Sequence, residues 1–103
     1  MDKKSIAEIV TNEFSRSYRV DEFPLHNDDV LRGFAETSAA EMAHEAGARR
    51  ADLLALLRDL RADRAHPLHE RISLGSEMDW YTYDDDFAVF QRLVGWMLEA
   101  LES

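Results

Sequence analysis

The chain has no cysteine. That excludes disulfide staples, thiolate metal sites, iron–sulfur clusters and cysteine nucleophiles. Its four glycines, Gly33, Gly47, Gly75 and Gly95, are isolated, so no glycine-rich phosphate loop exists. Basic residues are scarce: 12 Lys and Arg stand against 21 Asp and Glu, a formal charge of -9. Gripping a phosphate backbone relies on Lys and Arg releasing counterions, so direct nucleic-acid binding is not expected. No segment approaches the roughly 20 apolar residues that span a bilayer. The opening residues, Met1 to Glu8, lack the apolar stretch of a signal peptide. The expectation is a cytoplasmic chain with no membrane partner.

What is present is an ordinary globular balance, 46% hydrophobic and 32% charged, so wholesale disorder is not expected. Over 103 residues there is room for one core. Ile6, Ile9, Val10, Phe14 and Tyr18 recur at helical spacing and predict a first helix over 3–19. Pro24 then marks a connector. Asn27, Asp28 and Asp29 suit a helix start, and Val30, Leu31, Phe34, Ser38, Met42 and Ala46 continue as a stripe over 28–46. The helical phase nearly runs on through Gly47. An unbroken helix over 28–64 would be about 55 Å long, far beyond a body of this size. A break at Gly47 is therefore predicted, with a Leu-rich helix over 48–64. Asp84, Asp85 and Asp86 start the last helix, 84–102, with Phe87, Phe90, Leu93, Val94, Met97 and Leu101 as its stripe. Gly95 lies mid-pattern, where a missing side chain permits close approach. The expected fold is all-α: a single domain over 1–103 and a bundle of about four helices. Segment 66–83 is irregular. Arg71-Ile72-Ser73-Leu74 either opens a short hairpin toward Met78–Tyr83 or belongs to a loop with a helical turn.

Recognisable chemistry is thin. There is no nucleophile elbow and no calcium-loop spacing in the acidic triplet. Glu41 and His44 form a Glu-x-x-His pair of the kind di-iron bundles use, but such sites need further carboxylates. Only Glu8, Glu13 and Glu36 are loose candidates, and a symmetric dimer would be required. His66, His69 and Glu70 are a second loose cluster, for which a surface histidine group is the simpler reading. No metal, cofactor or catalysis is expected. Arg49, Arg50, Arg58, Arg61 and Arg64 alternate with Asp52, Asp59 and Asp63, the pattern of a solvated, salt-bridged face.

Charge is unevenly spread. Residues 49–71 hold six bases and four acids, whereas residues 76–103 hold seven acids and one base. Within the latter, Trp80, Tyr81 and Tyr83 lie among Glu77, Asp79, Asp84, Asp85 and Asp86. Trp and Tyr dominate binding hot spots, and carboxylates steer basic partners. One reading makes these eight residues a partner-binding surface. The other makes the three Asp a helix cap and Trp80 a core plug. At class level, the Asp79-Trp80-Tyr81 run before a last helix in a small, acidic, helical chain resembles the layout of bacterial nuclease-toxin immunity proteins. Phage-encoded inhibitors of defence systems are a second class of similar style. Both imply a non-catalytic protein that blocks a basic, nucleic-acid-binding surface of an enzyme or toxin. The alternatives are a helical scaffold subunit that homo-oligomerises through its third and fourth helices, and a metal-dependent helical-bundle enzyme.

Overall fold

At Gly47 the chain changes direction. A computed structural model describes residues 4–17, 27–76, 80 and 83–102. Among these residues are five helices: α1 (Ile6–Ser17), α2 (Asp28–Ala46), α3 (Arg50–Ala62), α4 (Leu68–Ser76) and α5 (Asp84–Glu102), with a 3-10 turn at Gly47–Arg49. Gly47 adopts φ 55° and ψ -120°, and its N–H donates to the Ala43 carbonyl. That backbone conformation is strained for any residue with a Cβ. The break is thus built into the residue, and the longest dimension of the molecule is 37 Å.

Local signals set the helix starts. Asn27 accepts from the Val30 N–H at 3.2 Å and opens α2. Ser5 accepts from the Glu8 N–H at 3.1 Å and opens α1, a Ser-x-x-Glu spacing that the apolar pattern alone does not reveal. His66 Nδ1 accepts from the Leu68 N–H at 3.1 Å at the start of α4.

Ion pairs fix the helix directions. Asp28 lies 3.6 Å from Arg92, and Arg32 lies 3.9 Å from Glu99, so α2 and α5 run in the same direction. Arg50 donates to the Leu101 carbonyl, whereas Arg61 Nε donates to the Gln91 carbonyl at 2.9 Å, so α3 runs against α5. Gln91 Nε2 returns a 2.9 Å bond to the Arg61 carbonyl. A Cβ on Gly95 would sit 3.4 Å from the Arg61 guanidinium. Gly95 thus makes room for an arginine side chain lying on α5.

The core takes its apolar members from all five helices. Ile9, Val10 and Phe14 meet Leu31, Ala35 and Met42, Leu53, Leu57 and Leu60, Ile72, and the α5 stripe from Phe87 to Leu101. Val30, expected in the α2 stripe, is 40% exposed. Segment 66–83 departs most from expectation. Residues Arg71–Leu74 lie inside α4, so they open no hairpin, and no strand occurs among the described residues. A helix wins because Leu68, Ile72 and Ser76 recur every four residues and all bury. Close approach to α1 is possible because Gly75 has no side chain: a Cβ there would fall 2.1 Å from Ser15 Oγ. Ser15 in turn donates to the Thr11 carbonyl at 2.9 Å, which satisfies its hydroxyl within α1. No helix among the described residues is long and apolar enough to cross a membrane.

Candidate functional site

The acidic aromatic run divides at Trp80. Its indole is 1% exposed, with its ring centroid 5.9 Å from that of Phe90. Phe90 also stacks on Phe14 at 5.6 Å and meets the His69 ring at 5.0 Å. These rings join α1, α4 and α5. The expectation of a water-facing Trp80 anchor is therefore corrected: burying an indole removes far more apolar area from water than any neighbouring residue offers, and the core claims it. Glu77, Asp79 and Tyr81 lie outside the described residues.

Beyond Trp80 the chain turns outward. Tyr83 is 67% exposed. Its carbonyl accepts from the Phe87 N–H at 3.0 Å, the first bond of α5. Asp84 and Asp85 are exposed and Asp86 is half-buried. All three sit in the first turn, where free amides and the helix dipole favour negative charge. Arg64, from the turn after α3, pairs with Asp84 and stands 5.6 Å over the Phe87 ring. The start of α5 is thereby fastened to the α3–α4 connection.

α2 points the same way as α5, but its start lies alongside the middle of that helix. Asp28 reaches Arg92, eight residues along α5 from Asp84, or about 12 Å of helix axis. Asp28 and Asp29 are exposed there. The start of α5 thus gathers three aspartates and a projecting tyrosine, with Arg64 as local countercharge, while Asp28 and Asp29 form a second acidic step farther along α5, with Arg92 as theirs. The sequence reading missed the contribution of Asp28 and Asp29. Only the parallel arrangement of two helices distant in the chain brings them alongside.

The two histidine groups are occupied differently. His69 is buried, and its Nε2 lies 2.9 Å from the Leu60 carbonyl and 3.0 Å from that of Asp63. It therefore donates to the end of α3. Burial pushes its imidazolium pKa below the usual value, against a smaller opposing pull from those two carbonyls. His66 spends Nδ1 on the start of α4. Glu41 of the Glu-x-x-His pair meets Glu13, one of its three loose partners, and a guanidinium lies against both. Arg16 lies 2.6 Å from Glu13 and 3.6 Å from Glu41. A hydrogen bond that the protonated Glu41 carboxyl donates to Glu13, together with the negative charge of Glu13, raises the Glu41 pKa. His44 is exposed. No group of three or more His, Cys, Asp or Glu able to hold a metal occurs among the described residues.

No family model, curated protein or solved structure matches the chain.

Proposed function

We propose that the chain is a non-catalytic binding protein whose acidic end covers a basic surface on a protein partner. The partner surface is of the kind that binds nucleic acid, and its occlusion inhibits the partner, in the manner of an immunity protein or an anti-defence inhibitor. The observation that carries this reading is the juxtaposition of Tyr83, 67% exposed, with exposed Asp84 and Asp85 at the start of α5. A projecting tyrosine supplies contact area at low entropic cost. The aspartates supply a field that attracts cations and repels phosphate. Tyr83 replaces Trp80 as the aromatic anchor in this reading, and the aspartates keep their steering role.

The scaffold alternative has less support. Of the leucines from Leu53 to Leu60 that would line a self-association face, Leu53, Leu57 and Leu60 are fully buried in the chain's own core and Leu54 and Leu56 partly so.

Affinity capture from host lysate tests the reading, with the wild-type chain and Asp84→Asn/Asp85→Asn as baits. Asparagine keeps the shape of the side chain while removing its charge. A basic protein retained by the wild type and lost by the variant is the expected result. Equal retention by both would place binding elsewhere.

A further inference from the structure

The opposite electrostatic character appears along the outer face of α5. Trp96 lies partly buried on its ridge. A groove of about 640 Å³ runs on the α2 side, floored by Ala39, Ala40 and Ala43. A second, of about 560 Å³, runs on the α3 side, and both share Trp96 and Glu99. Arg32 and Arg50 line the first groove; Arg58, Arg61 and Arg92 line the second. Against these five arginines stand Glu36, Glu99 and Glu102. Asp28 pairs with Arg92 at the edge of this face, so in a chain of formal charge -9 it still carries a surplus of one positive charge.

How those arginines are partnered matters more than their number. Arg50 and Arg61 donate to backbone carbonyls, of Leu101 and Gln91, and have no carboxylate partner among the described residues. A neutral acceptor positions a guanidinium without cancelling its charge. Arg32, Arg58 and Arg92 do pair with carboxylates, but their side chains are 48–59% exposed. Exposed pairs of this kind contribute little and exchange partners readily.

We propose that this face is a docking surface for an acidic peptide segment of a partner protein, distinct from the aspartate-rich end. Carboxylates of the segment meet Arg50 and Arg61, and an apolar side chain between them rests on Trp96 and the alanine floor. Arg50 and Arg61 stand about 16 Å apart along α3, which about five residues of extended chain span. Trp and Arg are the residues most enriched in binding hot spots. Charge complementarity selects an acidic peptide over a nucleic acid. The three glutamates interrupt the face, and a continuous phosphate ladder could not avoid them, whereas a peptide places its few carboxylates selectively.

The test is an amide-shift titration of the isotope-labelled full chain with a short synthetic peptide. The peptide carries paired glutamates at each end, with leucine and phenylalanine between. Expected are shifts confined to the outer faces of α2, α3 and α5 around Trp96, with affinity falling as salt rises from about 20 to about 300 mM. The glutamine version of the peptide should bind about ten-fold more weakly, as should the Arg61→Gln variant with the original peptide. Because Arg61 also clasps α3 to α5, Arg58→Gln provides a second variant whose exposed pair is dispensable for folding. Absence of shifts at millimolar peptide overturns the proposal. So does equal binding of the glutamine peptide, or tighter binding of a single-stranded oligonucleotide. Shifts at the same residues on raising protein concentration alone would assign the face to a second copy and equally overturn it.

Discussion

Trp80 and Tyr83 stand three positions apart and do opposite work. Trp80 fills the junction of α1, α4 and α5 beside Phe90. Trp80→Ala should cost about 3–5 kcal/mol in urea unfolding, the range for emptying a buried aromatic site. Tyr83 projects from the start of α5. Tyr83→Ala should change stability by no more than about 0.5 kcal/mol, while weakening capture of the partner. His69 sets a residue-scale pH dependence. Its pKa is lowered in the folded state, chiefly by burial, so the unfolded chain takes up the proton first. Stability from this group is full above the ordinary value of 6.5 and is lost as pH falls toward the lower folded value. Urea midpoints across that window should decline on acidification in the wild type. In His69→Phe this part of the decline should disappear.

Two glycines act on whole elements. Gly47→Ala imposes a Cβ on a positive-φ backbone between α2 and α3, and should destabilise by about 1–3 kcal/mol in denaturant titration. Gly75→Ala pushes a methyl group into Ser15 and should loosen α4 from α1. The loss should shrink in a Ser15→Ala background, because the 2.1 Å clash is with the hydroxyl; a double-mutant cycle in unfolding free energy reads this coupling. Which elements were legible follows from the same physics. α2 and α5 each carry five turns of apolar recurrence and a capping cluster, and both starts, at Asp28 and Asp84, match the expected ones. The Gly47 break was readable because a helix through it would outrun the molecule. α4 was not readable: nine residues with Gly75 and two serines give a weak stripe, and its stability comes from Ser15 and the ring cluster, far away in the chain. Trp80 was not readable for a related reason. The sequence left Trp80 open between a binding anchor and a core plug, because a single residue between helices has no period to reveal the side it takes; its burial decides for the plug.

At the scale of the whole molecule, charge is sorted rather than spread. The start of α5 holds Asp84, Asp85 and Asp86 and the start of α2 holds Asp28 and Asp29, while arginines collect along the outer face of α5. The bundle keeps its helices in register with ion pairs and with side-chain-to-backbone clasps such as Arg61 with Gln91. The latter spend no surface carboxylate, and the exposed pair of Asp84 with Arg64 exchanges partners readily, so the start of α5 can steer. The measurement that tests this most directly is the association rate with the captured partner, taken as a function of salt for the wild type and Asp84→Asn/Asp85→Asn. The account predicts a fast wild-type rate that falls steeply with ionic strength, and a slower variant with a shallower slope. Identical rates and identical slopes for the two proteins would contradict it.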